Sequence, residues 1–176
     1  MKISIKLDTR SVKMAIRNIE RYKRQLDEKC SLFVSRLADK GIETAKLNCG
    51  DYGNLITFSK TITNSNHVAV GRLIAVGTPM ERLRSGQVIT ADPLLLAEFG
   101  SGWEAKVLDD VGGVGQGTFP EQTHAFNPQG WWYRDIETGE SVHTYGESPT
   151  FPMHSASIAM IYEINDVAKE VFGNGR

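Results

Sequence analysis

Apolar residues recur at helical spacing through most of the first fifty positions. Capping residue types precede this stretch at Asp8, Thr9 and Ser11. Steps of three, four and seven residues place the apolar positions on one side of a helix. They are Val12, Ile16, Ile19, Leu26, Cys30, Phe33 and Leu37. We expect the helix to continue to about Leu47, with Gly41 as a weak point where it bends or divides. Such a long helix predicts packing against a sheet or a neighbouring subunit.

Alternation of polar and apolar residues predicts strands on either side of this helix. Residues 2–7 place Ile3, Ile5 and Leu7 on one face, as a short half-buried strand does. Residues 55–63 and 67–77 are β-type runs, and the Asn64-Ser65-Asn66 segment between them predicts a hairpin turn.

Three further elements complete the pattern. Residues 92–99 predict a short helix capped by Asp92, with Pro93 in its first position. Residues 131–145 predict a hairpin that turns at Thr138-Gly139. A last helix begins near Pro152, and its apolar stripe is formed by Met153, Ala156, Met160, Ile164, Val167 and Val171.

Together these elements predict one α+β domain over residues 1–176. A long N-terminal helix and a C-terminal helix pack on a mostly antiparallel sheet in this prediction. Residues 100–130 hold seven glycines and predict a long Gly-rich loop inserted into the domain. Loops of this length in compact domains are usually functional or disordered.

Composition excludes several classes of protein. The chain has 176 residues, of which 40% are hydrophobic and 23% charged, as in globular domains. We expect no transmembrane helix and no signal peptide, and therefore synthesis in a cytoplasm. Cys30 and Cys49 would lie roughly 28 Å apart along a helix, which predicts reduced thiols.

Charge is unevenly distributed along the chain. Residues 1–50 carry 12 basic and 6 acidic residues, whereas residues 51–176 carry 8 and 15. The first helix either lies against an acidic surface or nucleic acid, or is a solvated helix that happens to be basic. The residues that would face DNA are Lys13, Arg17, Arg21 and Arg24.

No catalytic motif is present in the sequence. The four histidines do not form HExxH, no GxSxG elbow occurs, and the glycines at 112–117 lack the Lys-Ser/Thr of a phosphate loop. We therefore expect no enzyme activity and no cofactor. A small metal-dependent hydrolase using His124, His143 and Asp135 remains the least favoured alternative.

Aromatic residues bracket the Gly-rich segment and suggest a contact surface. Tryptophan is enriched where proteins bind one another, although these rings would equally well cover the core. Adjacent Trp131 and Trp132 should point to opposite faces of their strand. The candidate interface residues are Glu98, Phe99, Trp103, Phe119, Phe126, Trp131 and Trp132.

The order of these elements resembles a bacteriophage tail-component family. That family is typified by gene product ten of phage HK-ninety-seven and is also called minor tail protein Z-like. The resemblance spans nearly the whole chain. Its short motifs here are Ala45-Lys46, Gly53-Asn54-Leu55, Glu98-Phe99-Gly100-Ser101-Gly102 and Thr150-Phe151-Pro152-Met153. The chain departs from the family at Cys49-Gly50-Asp51, where a proline is usual, and at Phe151, where an arginine is usual.

The resemblance implies a structural virion protein of the head–tail connector, neck or tail-completion region. Such subunits usually form homo-oligomeric rings, often sixfold in the neck, and join head to tail. Their partners would be adjacent neck proteins, the tail terminator or the tail tube. A DNA-contacting subunit that lines the channel is the alternative, and no membrane partner is expected.

Overall fold

The computed structural model describes residues 8–84, 87–104, 127–135 and 138–173. Three α-helices and eight strands make up these ranges. The helices are α1 (Thr9–Leu47), α2 (Pro93–Phe99) and α3 (Pro152–Phe172), with a 3₁₀ turn at Gly50–Tyr52. The strands are β1 (Ile56–Ser65), β2 (Val68–Gly77), β3 (Met80–Arg84), β4 (Gln87–Ala91), β5 (Ser101–Gly102), β6 (Trp131–Arg134), β7 (Ser141–Thr144) and β8 (Gly146–Glu147).

Helix α1 runs without interruption for 39 residues, as the apolar stripe predicts. Asp8 is its N-cap, and the carboxylate accepts a hydrogen bond from the backbone N–H of Ser11 at 2.8 Å. The helix is not divided at Gly41. A Cβ at that position would lie 2.8 Å from Leu73 Cδ1 and 2.9 Å from Met160 Sδ. Gly41 is therefore a close contact with β2 and α3, and the predicted weak point is wrong.

Small antiparallel ladders replace the single sheet that the sequence predicts. The described strands form four two-stranded ladders, and the longest pairs β1 with β2 from Ile56↔Gly77 to Ser65↔Val68. Asn66 and His67 both have positive φ, 50° and 64°, which is the type I′ geometry of two-residue hairpins. The turn therefore lies at residues 66–67 and not at 64–66.

The other ladders are short. The β6–β7 hairpin is as predicted, with Gly139 at a φ of 71° in its turn. The β3–β4 hairpin was not predicted. Neither was the two-residue β5–β8 ladder, which pairs Ser101 with Glu147 across 46 residues of sequence.

The C-terminal half of α1 packs between the β1–β2 hairpin and α3. Helix α3 runs antiparallel to α1, because Phe33 contacts Phe172 while Gly41 contacts Met160. On the hairpin side, Lys60 Nζ lies 2.7 Å from Ser35 Oγ and 2.5 Å from Asp39 Oδ2. These contacts fix an α+β arrangement in which α1 lies between the hairpin and α3.

The apolar stripe of α3 is confirmed at most positions. Ala156, Val167 and Val171 are buried, whereas Ile164 is 42% exposed and does not belong to the core face. A separate cluster joins the end of α1 to β1 and α2 through Cys49, Ile56 and Ala97. No helix within the described ranges is both long and apolar enough to cross a membrane.

Two predicted features lie outside the described residues. They are the strand over residues 2–7 and residues 105–126 of the Gly-rich segment, with Phe119 and Phe126.

Candidate functional site

Three of the four family-like motifs, far apart in sequence, lie at one place in the fold. We call this place the motif junction: residues 49–55, 97–102 and 146–154. The backbone N–H groups of Thr150 and Phe151 donate to the carbonyl of Ala97, at 2.8 Å and 3.1 Å. The Tyr52 hydroxyl donates to the Glu147 carboxylate. The motifs therefore form one packed unit and are not independent surface loops.

Glu98 is the central residue of the motif junction. It is only 8% exposed, and its carboxylate accepts hydrogen bonds from the backbone N–H groups of Met153 at 2.7 Å and His154 at 2.9 Å. These groups belong to the first turn of α3, where backbone donors lack helical partners and the helix dipole favours negative charge. Glu98 thus caps α3 from a different helix.

The start of α3 needs this external cap. The N-cap position is occupied by Phe151, which is left-handed at φ 53° and ψ 51° and has no side-chain oxygen. Pro152 follows in the first helical position, where a missing N–H costs nothing. A carboxylate from α2 therefore satisfies the donors that a serine or aspartate at position 151 would satisfy.

Two glycines of the motif junction are required by backbone geometry. Gly100 has a φ of 68°, and a Cβ there would lie 2.9 Å from the backbone nitrogen of Pro149. Gly102 has a φ of 61°, and a Cβ there would lie 2.6 Å from Cη2 of Trp131. Both positions therefore combine a left-handed backbone with a close approach that only glycine allows.

The structure divides the predicted interface residues into interior and surface groups. Glu98 and Phe99 are each 8% exposed and act inside the chain, as part of the motif junction. Trp131 is half-buried over Gly102. Trp132 is 68% exposed and Trp103 48%, so these two remain candidates for contact with a partner. The predicted alternation of Trp131 and Trp132 is confirmed.

The N-terminal half of α1 extends beyond the described elements that pack on the rest of the helix. The tip of the β1–β2 hairpin reaches α1 at Asp27, whose Oδ2 lies 3.0 Å from His67 Nδ1. The last residue of α3, Phe172, lies against Phe33. Residues 9–26 therefore project past both packing partners for about 27 Å. We call them the projecting segment.

The apolar stripe of α1 continues along the projecting segment. Val12 is 41% exposed, Ile16 50%, Ile19 51% and Leu26 40%. The same stripe is covered by the hairpin and α3 in the C-terminal half. Ala15, on one flank of the stripe, is 5% exposed. The projecting segment thus presents a core-like surface that no described element covers.

A basic stripe runs along the other side of the projecting segment, roughly two-fifths of a turn from the apolar one. Its members follow one another at steps of three and four residues and are all exposed. They are Arg10, Lys13, Arg17, Arg21 and Arg24. None forms an ion pair with a residue that the structure describes. The predicted DNA-facing residues therefore share one exposed face.

Two other apolar surfaces are exposed. The outer face of β2 carries Val68, Val70, Ile74 and Val76, which are 39–59% exposed. The outer face of α3 carries Ile158 at 39%, Ile161 at 60% and Tyr162 at 80%. Large exposed apolar surfaces are typical of proteins that bind other proteins.

The residues of the hydrolase hypothesis have ordinary partners. His143 Nε2 lies 3.1 Å from the carbonyl oxygen of Gln129, and its ring contacts Trp132 and Tyr145. Asp135 accepts hydrogen bonds from Thr138 in the hairpin turn. His124 lies outside the described residues. Among the residues that are described, no three His, Cys, Asp or Glu side chains are grouped to hold a metal ion.

The two cysteines are free thiols. Cys49 is 1% exposed, and its Sγ donates to the carbonyl of Ala45 at 3.2 Å. Burial raises the pKa of the Cys49 thiol. Cys30 is half-buried beside the hairpin tip, with Asp27 and His67 close by. Since Asp27 and His67 pair with each other, this group is a structural contact of the hairpin.

Comparison with known proteins gives no relative for this chain. No protein-family model, no curated protein and no solved structure matches it.

Sequence reasoning missed the role of Glu98 and the projection of α1. The signal for Glu98 was present, since a helix that begins Phe151-Pro152 has no capping side chain of its own. The projection could not be inferred, because an apolar stripe does not show which part of the helix packs against other residues of the same chain.

Proposed function

We propose that this chain is a structural protein of the bacteriophage neck or tail-completion region. It acts by self-assembly into a ring and by joining head to tail. The observation that carries the proposal is the apolar stripe of α1, which runs from the core onto the exposed projecting segment. In the described part of a subunit this apolar stripe is about half exposed, and assembly would bury it.

The phage assignment is supported by the order of the sequence motifs. Three of the four motifs contribute residues to the motif junction. Glu98 links the Glu98–Gly102 motif to the Thr150–Met153 motif through the start of α3.

The proposed partners are other copies of this chain, adjacent neck proteins, and the tail terminator or tail tube. Trp103 follows β5 and Trp132 lies in β6, and both offer exposed rings for such contacts. The proposed location is the virion.

The proposal is tested on purified phage particles. The chain should be detected by mass spectrometry in particles of the phage that carries its gene. Disrupting the gene should give separate heads and tails, and supplying the chain should restore joining. Intact, infectious particles that lack the chain would contradict the proposal. Neighbouring genes for portal, capsid and major tail protein would support it independently.

A second candidate, a DNA-contacting channel subunit, is favoured by the basic stripe of the projecting segment. Residues 9–26 carry six basic residues and one acidic residue, and the stripe is exposed. Such a surface binds phosphates and predicts duplex binding that weakens as salt increases. Reversing Lys13, Arg17 and Arg24 to glutamate should then abolish binding. Unchanged binding and infectivity would eliminate this candidate.

A further inference from the structure

Strand β1 has one edge without a partner in the described part of the chain. The ladder with β2 uses the other edge along the whole strand, from Ile56 to Ser65. No backbone hydrogen bond from another described segment reaches these residues. We call the side of β1 that faces away from β2 the open edge of β1. A long strand with an unpaired edge is a ready template for pairing with another strand.

The backbone groups on the open edge can be assigned residue by residue. The N–H of Thr78 donates to the carbonyl of Leu55 at 2.7 Å, so these two residues form a hydrogen-bonded pair at the end of the ladder. In antiparallel strands such pairs alternate with non-hydrogen-bonded pairs. Odd-numbered residues of β1 therefore bond to β2, and even-numbered residues direct their N–H and C=O groups to the open edge. The even-numbered residues are Ile56, Phe58, Lys60, Ile62 and Asn64.

Helix α3 lies on the side of β2, away from the open edge. Leu73 of β2 and Met160 of α3 approach α1 at the same glycine. On the other side of α1, Asp39 is bonded to Lys60 of β1. Leu32 lies two helical turns before Asp39 and so on the same face, and it is 44% exposed. The flank of α1 beside the open edge thus carries an exposed apolar residue.

We propose that the open edge of β1 pairs antiparallel with the open edge of β1 in a second copy of the chain. The twofold axis passes beside Thr61, so that Lys60 lies opposite Ile62 of the second copy and Phe58 lies opposite Asn64. With the symmetric halves there are four hydrogen-bonded pairs, and each pair makes two bonds. The resulting total of about eight backbone hydrogen bonds is close to the ten or so of a typical protein interface.

Lys60 selects this register among the neighbouring ones. An axis at Lys60 itself would place two like charges directly opposite each other, which is destabilising. An axis at Ile62 would keep only three of the hydrogen-bonded pairs. A charge that points inward can also block an edge, but Lys60 is paired with Asp39 of its own subunit. The register with its axis at Thr61 therefore keeps the most hydrogen bonds without opposing the two lysines.

The outer face of β1 is self-complementary in this register. Every side chain on that face carries a hydroxyl group and is exposed, at Thr57, Ser59, Thr61, Thr63 and Ser65. Thr61 lies opposite Thr61 of the second copy, and Ser59 lies opposite Thr63. These are non-hydrogen-bonded pairs, in which the side chains approach most closely and hydroxyl groups can bond across the strands.

Pairing of the strands also brings the two α1 helices together. Each helix lies under its own β1–β2 hairpin, and both lie on the same side of the four-stranded sheet that forms. Their axes are then about two strand spacings apart, roughly 10 Å, which is an ordinary distance between packed helices. Leu32 lies on the facing flank of each helix and loses exposure to water.

The contact is isologous, so it closes at two copies. It leaves no open edge of β1 for the uncontrolled addition of further strands. It is a contact of the free chain and uses a different surface from the projecting segment. The inference therefore does not rest on the proposed function.

The first experiment is disulfide crosslinking of the full chain under mild oxidation, followed on non-reducing gels and by peptide mass spectrometry. Thr61→Cys should form a covalent dimer linked at position 61, because the Cα atoms of a non-hydrogen-bonded pair lie about 4.5 Å apart. Ser59→Cys should not link to itself, since the two copies of position 59 lie roughly 13 Å apart in this register. A mixture of Ser59→Cys and Thr63→Cys should link position 59 to position 63.

The wild-type chain is the control for the native thiols of Cys30 and Cys49 and should form none of these links. The three substituted side chains are exposed, so the variants should fold like the wild type, as circular dichroism would show. Crosslinking of Thr61→Cys that is no faster than that of Ser59→Cys would overturn the proposal. So would a mixture of Ser59→Cys and Thr63→Cys that links no faster than either variant alone.

The second experiment follows amide hydrogen exchange in the wild-type chain by nuclear magnetic resonance over a range of concentrations. The N–H groups of Thr61 and Thr63 bond to β2 and should be protected at every concentration. Those of Lys60 and Ile62 should exchange rapidly in dilute solution and become protected as the concentration rises. Rapid exchange at Lys60 and Ile62 at every concentration would overturn the proposal.

Discussion

The carboxylate of Glu98 accepts a hydrogen bond from the backbone N–H of His154 at 2.9 Å, although 56 residues separate them in sequence. Through this bond the short helix α2 fixes the position where α3 begins. Since α3 packs on the C-terminal half of α1, this buried carboxylate also helps to position the two long helices relative to each other.

Removing the Glu98 carboxylate should destabilise the fold. Glu98→Ala leaves two backbone donors of α3 without acceptors, and we expect the free energy of unfolding to fall by about 2–3 kcal/mol. Glu98→Gln keeps one acceptor oxygen and should lose less. Urea denaturation followed by circular dichroism measures both. Glu140→Ala, at an exposed carboxylate, serves as the control, and an equal loss in both alanine variants would contradict the capping role.

The contact of Gly41 with Leu73 and Met160 should tolerate one methyl group and no more. Gly41→Ala gains about 1 kcal/mol of helix propensity and displaces two flexible side-chain ends, so its stability should stay close to that of the wild type. Gly41→Leu forces α1 away from β2 and α3 and should lose about 2–3 kcal/mol. Lys40→Leu, at the exposed neighbouring position, should be nearly neutral. If Gly41→Leu were as stable as Gly41→Ala, the close approach would be refuted.

The two thiols should react at different rates. Cys30 is half-buried, while Cys49 is buried and its pKa is raised by desolvation. Iodoacetamide should therefore alkylate Cys30 first in the native chain, as peptide mass spectrometry would show. In urea both thiols should react alike, which provides the control. Native rates that are equal would show that Cys49 is accessible.

The raised pKa of Cys49 also makes the stability of the fold depend on pH. The buried site favours the protonated thiol, so its contribution to stability is complete below the ordinary pKa of a thiol. It is lost as pH rises through the raised pKa of the folded state. Cys49→Ala should therefore show a smaller decrease in the unfolding midpoint at alkaline pH than the wild type. Identical decreases would contradict the effect.

Polar substitutions on the projecting segment should separate assembly from folding. Ile16→Asp with Ile19→Asp changes residues that are half exposed in the subunit, so the free energy of unfolding of the monomer should change by about 0.5 kcal/mol or less. Association beyond the pair formed through β1 should be lost, because the apolar surface is no longer available to a partner. Leu47→Asp, at a residue 83% exposed elsewhere on α1, is the control. Unaffected association in the double variant would show that this surface is not used.

The sequence alone predicts the elements that depend on local signals. The helical period of the apolar residues predicts α1. Asp92 and Pro93 predict the start of α2, and Gly139 predicts the β6–β7 turn. The first hairpin turn was placed too early, because the positive φ angles lie at Asn66 and His67. A histidine is an uncommon residue for that conformation, and its pairing with Asp27 helps to hold it there.

Features that depend on distant contacts could not be predicted. The β5–β8 ladder and the capping of α3 by Glu98 each join segments about fifty residues apart. Ile164 fits the apolar period of α3 and is still 42% exposed, because the period does not define how wide the packed face is. Glu98 and Phe99 were predicted at an interface, and they lie in the interior because α2 is covered by the start of α3.

The most direct test of the account is cryo-imaging of the phage particles that carry this gene, compared with particles assembled without its product. The account predicts a ring of density at the neck or at the head-proximal end of the tail. Adjacent copies in that ring should contact one another through the projecting segment of α1. The absence of this chain from the particles, or particles that are unchanged when it is missing, would contradict it.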